Sequence, residues 1–397
     1  MKNSVIFVAN GFSRDNVRLQ PWRYIYELAK HQSHNNQVIV ITEGENQSTE
    51  EIWEEGFTVV QTNLLSIKKQ KSLLRFLNSF NPDHIWWSTT TRSIAFFPLL
   101  KKLRCRKTAF ITSPLYKWNE LIRASLYGVP YEQSKALWSQ RFIPRFLFRL
   151  FLNANIFQSV TVQSKNNKKI LEANGVKKHK VHYLPVGIDE EDVKPVDVNV
   201  LKEVQDKLSI KTDEIIFLYL GALRPIRGFD ALIKAFPEVI RKNANARLVV
   251  LARGASEEKC DSLKSQLNEI GIANNVSIEG GWLTREQVWS YIELSNIVVL
   301  PFVLVPSDIP IAVLEALARG KPVVVSEVDG LPELARDRGV ITDPLNTNKF
   351  SEDLSSLAND KAIIEKYTES AESFIKTYPR WSDVGLLMDK IDCDTDK

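Results

Sequence analysis

A single carboxylate stands in an otherwise apolar stretch of the sequence. The run Ile311–Ala318 contains Glu315 and seven apolar residues, a pattern that predicts a largely buried helix. Burying an unpaired charge costs free energy, so this carboxylate needs a partner. That partner is either an arginine or backbone N–H groups of the protein, or the two hydroxyls of a ligand diol. A carboxylate binds ribose in this second way at the carboxyl end of an α/β sheet.

A glycine-bounded loop is the second candidate site. Residues 215–220 predict a buried strand, residues 221–228 a loop, and a helix begins near Phe229. The free N–H groups and the dipole of such a helix N-terminus attract anions. Arg224 and Arg227 can grip a diphosphate in bidentate fashion. An exposed loop arginine without a ligand is the alternative interpretation of each.

The chain around Glu315 reads as a loop, a helix and a strand. Asp308 is expected to cap the helix, and Pro310 suits its first turn, where a missing N–H costs nothing. Gly320 fits the left-handed position that ends a helix. Valines 323–325 then predict a short strand buried on both faces.

Two segments carry a family resemblance. The sequence L-E-A-L-A-R-G-K-P-V-V-V (314–325) resembles the second half of the signature of family 4 glycosyltransferases, enzymes of the GT-B fold. The sequence K-V-H-Y-L-P-V-G-I-D (180–189) resembles their interdomain turn. In that family two glutamates eight positions apart flank the donor-sugar loop, and the second holds the nucleotide ribose. The second matches Glu315, whereas the first falls at Ser307, which is not a carboxylate.

The resemblance implies a retaining, metal-independent glycosyltransferase whose reacting centre includes Arg227, Glu315 and Ser307. Around the donor it places Gly11, Arg224, Gly228, Arg253, Gly254, Trp282, Leu283, Asp308, Ile309, Pro310 and Ile311. The chain departs from the family at Ala222, which replaces an arginine, and at Ser113, which replaces a histidine facing the sugar. The implied donor is a nucleotide-diphosphate sugar, with UDP or GDP favoured. The implied acceptor is a glycan or a lipid-linked molecule, and no further cofactor and no metal are expected.

Strands alternate with helical segments along the chain. In the first half the predicted strands cover residues 5–8, 38–42, 57–61, 85–88 and 108–112. Such alternation predicts βαβ units and parallel sheets. Together with the resemblance it predicts an α/β protein with two Rossmann-like parallel-sheet domains facing across a cleft. These are an acceptor domain (residues 1–187) and a donor domain (188–379), with a C-terminal helix (380–397) that crosses back near Trp381.

A basic, aromatic segment lies in the first half. Residues 133–171 contain no Asp or Glu, and within them residues 144–152 predict a helix with Arg145 and Arg149 on one edge. This helix either lies in an anionic membrane interface or is a core helix with two snorkelling arginines. Ser113, Arg145 and Arg149 are therefore candidates for the acceptor or membrane side.

The composition excludes several classes of protein. The chain has 397 residues, of which 44% are hydrophobic and 25% charged, values typical of globular proteins. A net charge of +4 is too balanced to indicate nucleic-acid binding. The three cysteines and five histidines show no ligand spacing, and no stretch approaches the ~20 apolar residues of a membrane span. We expect a cytoplasmic location, including the inner face of the membrane.

A second interpretation of the function belongs to a different class. Ser307, Ala222 and Ser113 are three departures at the sugar and phosphate positions, which would fit a non-catalytic subunit or binding module. Glu315 and Arg227 favour an enzyme, because both would be expected to disappear first if nucleotide binding had been lost.

Overall fold

The computed structural model describes residues 2–45 and 48–394 and contains two sheets with helices on both faces. The strands of the first sheet are β1 (Ser4–Val8), β2 (Gln37–Glu43), β3 (Thr49–Ile52), β4 (Thr58–Thr62), β5 (His84–Ser88), β6 (Arg106–Ile111), β7 (Ser159–Val162) and β8 (Val181–Tyr183). They lie in the order β3-β4-β2-β1-β5-β6-β7-β8. The helices of this part are α1 (Trp22–Ser33), α2 (Gln70–Ser79), α3 (Phe97–Lys102), α4 (Trp118–Leu126), α5 (Tyr131–Arg141), α6 (Arg145–Asn153) and α7 (Lys165–Ala173).

The second sheet has the order β11-β10-β9-β12-β13-β14. Its strands are β9 (Ile215–Gly221), β10 (Ala246–Arg253), β11 (Val276–Gly281), β12 (Ile297–Leu300), β13 (Val323–Ser326) and β14 (Gly339–Thr342). The accompanying helices are α8 (Val198–Leu208), α9 (Phe229–Lys242), α10 (Glu257–Glu269), α11 (Arg285–Leu294), α12 (Ile311–Ala318), α13 (Leu331–Ala335), α14 (Thr347–Asn359), α15 (Lys361–Thr377) and α16 (Trp381–Asp394).

The strand pairings are parallel, with one exception at the edge of the first sheet. There β3 pairs antiparallel with β4, with Thr49 opposite Gln61. All four residues of β3 are exposed, so it shows neither an apolar run nor a half-buried alternation. Strand β3 is not predicted by the sequence analysis, and it gives the otherwise parallel first sheet one antiparallel edge. Within the described residues, no helix combines the length and the apolarity needed to cross a membrane.

The C-terminal helix α16 returns to the first sheet and packs against α1. At the crossing the N–H of Trp381 donates to the Ile188 carbonyl at 3.3 Å, and its ring meets the edge of Tyr24 at 6.1 Å between centroids. A Cβ on Gly187 would lie 2.8 Å from Trp381, so the linker approaches the tail too closely for a side chain. We propose residues 1–187 and 188–379 as the limits of the two domains and 380–397 as the returning C-terminal segment. Residues 395–397 lie outside the described part of the chain.

The two sheet domains touch through loops at the carboxyl ends of their strands. The Tyr116 hydroxyl accepts from the Val305 N–H at 2.7 Å. The backbone N–H of Asp308 donates to the Thr112 carbonyl at 2.9 Å. Since ligands of open α/β sheets bind outside the carboxyl ends of the strands, these contacts mark the cleft in which a site is expected.

Candidate functional site

Glu315 lies on α12 and is half-buried, and it makes no hydrogen bond or ion pair with any residue that the structure describes. Burial raises the pKa of this carboxyl to about 7, and the negative charges of Asp192 and Asp189 act in the same direction. Arg285 and Arg253 lower the pKa by a smaller amount. The sequence leaves two kinds of partner open for Glu315, a protein group or a ligand diol. A protein group bonded to the carboxylate is not observed among the described residues.

The glycine-bounded loop feeds the N-terminus of α9. Pro225–Arg227 form one 3-10 turn, and Gly228 follows with φ of +73°. A Cβ on Gly228 would lie 1.7 Å from the Pro301 carbonyl oxygen, so both the backbone angle and the space require glycine. This close approach brings the start of α9 to the end of β12, at the carboxyl edge of the sheet.

Arg227 is largely enclosed, and its guanidinium carbon lies 5.3 Å from the centroid of the Phe302 ring. Burial, together with the positive charge of Arg253, lowers the pKa of Arg227 to about 10. No described carboxylate forms an ion pair with Arg227. Arg224, by contrast, is exposed at the surface of the loop. The loop therefore presents an enclosed cation without a protein counter-ion, which fits an anion site.

Two loops at the ends of β10 and β11 lie side by side. Gly254, with φ of +69°, donates its N–H to the Gly281 carbonyl at 2.8 Å. The indole of Trp282 lies over Gly254, where a Cβ would come within 3.5 Å of the ring. Trp282 is 75% exposed, whereas Leu283 packs partly against the core. A tryptophan that merely covered the sheet end would be buried, so the exposed face of Trp282 is open to a planar ligand.

The predicted donor-sugar loop is buried between the domains. Ser307, Asp308, Ile309 and Pro310 are all buried, and Ile311 is half-buried. The prediction that Asp308 caps the helix is wrong, because Pro310 occupies the N-cap of α12 and no side chain caps it. The reason is the bond from the Asp308 N–H to Thr112, which holds Asp308 against the first domain.

The Asp308 side chain faces a second carboxyl. Its surroundings are Asp329, Ser164 and Asn167, and burial raises the pKa of Asp308. The pKa of Asp329 is also raised, by burial and by the neighbouring Asp308. Ser113 lies beside this group, since its carbonyl accepts from the Asn167 amide at 3.3 Å. Ser113 and the loop that begins at Ser307 therefore lie close together.

Gly11 forms a turn of its own. It has φ of +72°, and its N–H donates to Glu43 at 2.8 Å. A Cβ at this position would lie 3.0 Å from the indole of Trp22. These contacts account for the glycine by turn geometry, which is one of the two roles that a glycine at a strand end can have.

The two arginines of α6 are half-buried and contact the protein, as in the core-helix alternative that the sequence leaves open. The Arg145 guanidinium donates to the carbonyls of Leu115 and Tyr116 at 2.8 and 2.9 Å, and the side chain of Arg149 lies against Gly175. Burial lowers the pKa of Arg145. The arginines therefore do not form the outer edge of the helix. Its solvent-facing side is apolar and includes Phe146, which is 56% exposed.

An ion network in the linker is not predicted by the sequence analysis. Asp189 accepts from Arg23 of α1 at 2.7 Å and pairs with Arg285 of α11. Asp192 accepts from Arg285 at 2.9 Å and from the indole N–H of Trp289 at 3.2 Å. The only sequence signal is the acidic run 189–192, which suits any exposed linker. Through these ion pairs the linker contacts α1 of the first domain and α11 of the second domain.

The second sheet and its helices match a known family. Residues 201–377 match the family model described as glycosyl transferases group 1. This segment contains Arg227, Arg253, Trp282, residues 307–311 and Glu315. The residues that form the first sheet lie outside the match.

Curated relatives are glycosyltransferases by name. An uncharacterized glycosyltransferase of Methanocaldococcus jannaschii is 25% identical over 233 residues, 57% of this chain and 57% of that protein. The lipopolysaccharide 1,2-N-acetylglucosaminetransferase of Salmonella typhimurium is 24% identical over 193 residues, 47% of this chain and 50% of that protein. The chain thus spans about half the length of these curated relatives.

Solved structures resemble the whole chain. Anabaena HepE in complex with UDP superimposes with a TM-score of 0.73 at 13% identity, covering 99% of this chain and 100% of that chain. A glycosyltransferase from Rickettsia africae superimposes with a TM-score of 0.74 at 14% identity, covering 100% and 99%. The predicted fold class is confirmed: the chain consists of two parallel-sheet α/β domains of the GT-B type.

Proposed function

We propose that this chain is a glycosyltransferase that moves a sugar from a nucleotide-diphosphate sugar to a glycan or lipid-linked acceptor. The observation that carries the proposal is the pair of unpaired charges at one sheet edge, the carboxylate of Glu315 and the guanidinium of Arg227. A nucleotide diphosphate offers the complementary groups, a ribose diol and a chain of anionic phosphate oxygens. The family match covers both residues.

The reaction assigned to this site is a transfer with retention of configuration. The bond between the sugar C1 and the β-phosphate oxygen breaks, and the acceptor oxygen bonds to C1 on the same face. A β-phosphate oxygen takes the proton of the acceptor hydroxyl. Arg227 and the N-terminus of α9 stabilise the negative charge that develops on the leaving phosphate, so no metal is needed for this task.

The nucleotide is expected to lie along the carboxyl edge of the second sheet. Glu315 would accept hydrogen bonds from the ribose, and the exposed face of Trp282 would stack on the base. Anabaena HepE has been solved with UDP and with UDP-glucose, which supports a uridine donor here. GDP is the second candidate nucleotide.

The sugar would occupy the region of Ser307 to Ile311. Because Ser307 and Asp308 are buried against the first domain, the domains have to separate before a donor sugar can enter. We place Ser113 on the acceptor side of this opening, since its carbonyl and the Thr112 carbonyl border the same loop.

We further propose that the first domain docks on an anionic membrane through an apolar face. This face consists of the exposed side chains Trp118, Ile122, Leu126, Tyr131, Phe142, Phe146, Leu147 and Leu150 of α4 to α6 and their connections. Arg141 stacks on Trp118 at 4.8 Å and adds a positive charge to the face. Aromatic and aliphatic side chains with basic neighbours bind lipid interfaces, and a lipid-linked acceptor would be presented there.

A non-catalytic role remains the second candidate because of one specific observation. The loop that would hold the sugar contains Ser307 instead of a carboxylate, and its neighbour Asp308 donates its N–H to the protein itself. A nucleotide-binding subunit without transferase activity would keep Glu315 and Arg227 but would show no turnover with any acceptor.

The proposal is tested by calorimetric titration of the full chain with UDP, GDP and ADP, followed by the corresponding sugar nucleotides. We expect one nucleotide to bind to the wild type and its affinity to fall at least about tenfold in Glu315→Gln, since two charge-assisted hydrogen bonds weaken. Absence of binding at millimolar concentration would refute the nucleotide site. Binding without hydrolysis or transfer of the sugar would favour the non-catalytic subunit.

A further inference from the structure

Three arginines surround the proposed diphosphate position, and none forms an ion pair with a described residue. They are Arg224 and Arg227 in the loop before α9, and Arg253 at the end of β10. Arg224 and Arg253 are both exposed, and of the two Arg253 has the larger influence on the pKa of Arg227. A diphosphate carries two negative groups, so the enclosed Arg227 requires a second cation on the inner side of the cleft.

The register of the sheet brings Arg253 to that position. Strands β9 and β10 are parallel, and Ala252 pairs with Gly221. One residue further along both strands, Arg253 comes to lie beside Ala222, at the start of the loop that contains Arg227. On its other side Arg253 pairs with Gly281 of β11, directly before Trp282. Arg253 therefore stands between the loop that starts α9 and the loop that carries the proposed base-stacking side chain.

The electrostatic environment agrees with this position. The carboxylate of Glu315 has the largest electrostatic influence on the pKa of Arg253, and Arg253 in turn has the largest electrostatic influence on the pKa of Arg227. Removal from water lowers the pKa of Arg253, although its side chain still reaches solvent in the cleft. Arg253 is thus close enough to act on the group proposed for the ribose and on the group proposed for the phosphate.

Two like charges without a counter-ion destabilise each other in the unliganded protein. The charge of Arg253 lowers the pKa of Arg227, and no described residue forms an ion pair with either arginine, although the charge of Glu315 acts favourably on Arg253. A bound dianion would relieve the repulsion and would be gripped from two sides.

We infer that Arg253 is the second cation of the diphosphate site, contacting the phosphates opposite Arg227, and that Arg224 is not. This inference rests on the proposed function and adds a residue to its site. Arg253 acts on the leaving group from the ribose side, whereas Arg227 and the α9 N-terminus act from the opposite side.

The experiment compares the affinities of the full chain for UMP and UDP by calorimetry, in the wild type and in Arg253→Gln. If the wild type prefers guanine, GMP and GDP replace this pair. We expect the preference for the diphosphate to fall about tenfold or more in Arg253→Gln, the size of a lost charge-assisted hydrogen bond. Lys259→Gln is the matched control for loss of a positive charge near the loop, since Lys259 is exposed and its ammonium group donates to the Leu223 carbonyl at 3.3 Å.

The outcomes separate the inference from the function on which it rests. If the wild type binds a nucleotide diphosphate and Arg253→Gln keeps the full preference over the monophosphate, Arg253 is not part of the site. A larger loss in Arg224→Gln than in Arg253→Gln would also overturn the assignment. If the wild type binds no nucleotide, the proposed function itself fails. The melting temperature of ligand-free Arg253→Gln is expected to stay close to that of the wild type, because the substitution removes both the repulsion on Arg227 and the attraction to Glu315. An unchanged melting temperature excludes loss of folding as the cause.

Discussion

Replacement of Glu315 by glutamine is expected to stabilise the ligand-free protein above neutral pH. Glutamine has the shape of the protonated glutamate but cannot ionise. Burial raises the pKa of Glu315 from 4.5 to about 7, so between these two pH values the folded state keeps a proton that the unfolded chain releases, and above about pH 7 the folded state carries the full cost of the buried charge. For a group with a raised pKa, the wild type is most stable below the unfolded value and loses stability as the pH rises through the folded value.

The magnitude follows from the size of the shift. A rise of about 2.5 pKa units corresponds to about 3 kcal/mol at a pH above both values. Since the Glu315 side chain is half-buried and retains contact with water, we reduce the expected stability difference to ~2 kcal/mol. Glu315→Gln should therefore gain ~2 kcal/mol in free energy of unfolding relative to the wild type between about pH 5 and pH 8.

The assay is urea unfolding of both proteins at about pH 5 and pH 8, with Glu327→Gln as a control for removal of one exposed carboxylate. The control is expected to shift the midpoint little and equally at both pH values. Destabilisation of Glu315→Gln by more than ~1 kcal/mol at pH 8 would refute the reasoning. Such a result would mean that the carboxylate has a stabilising protein partner and is not held free for a ligand.

Three further predictions concern the nucleotide and membrane sites. Arg227→Ala should lower turnover about 100-fold with little change in melting temperature, because it removes charge stabilisation of the leaving phosphate. Steady-state kinetics with the sugar nucleotide checks this prediction, and normal turnover would exclude the phosphate role of Arg227. Trp282→Ala should weaken binding of the nucleotide about tenfold, because a stacking side chain is lost. The stability should not change, since Trp282 is 75% exposed. Unchanged affinity in calorimetry would show that Trp282 is not part of the base site. Phe142→Ser with Phe146→Ser should reduce sedimentation with anionic vesicles, whereas Leu386→Ser, a matched exposed residue on α16, should not. Equal sedimentation of all variants would show that the face of α4 to α6 does not bind lipid.

Elements with a strong local pattern could be predicted from the sequence. The predicted strands at residues 85–88 and 215–220 agree with the observed β5 and β9. The apolar run Ile311–Ala318 likewise coincides with α12. These elements bury their apolar residues in a period that is visible in the chain itself. Strand β3 was beyond such reasoning, because its exposed residues form a strand only by pairing with β4.

The orientation of the α6 arginines also depended on the tertiary structure. The sequence shows a basic, aromatic helix but does not say which side faces the protein. Arg145 turns inward because the carbonyls of Leu115 and Tyr116 need donors, and these carbonyls belong to a loop distant in sequence. The aromatic side of the helix is left to the solvent as a consequence.

The sequence by itself determined that one carboxylate in an apolar helix requires a partner, and that an arginine in a glycine-bounded loop precedes a helix N-terminus. These are local facts, because the cost of burying a charge and the dipole of a helix depend on neighbouring residues. Only the tertiary structure decided that Glu315 has no bonded partner among the described residues and that Arg253 stands beside the loop of Arg227. The physical reason is the parallel register of β9 and β10, which aligns the ends of strands that are far apart in the chain.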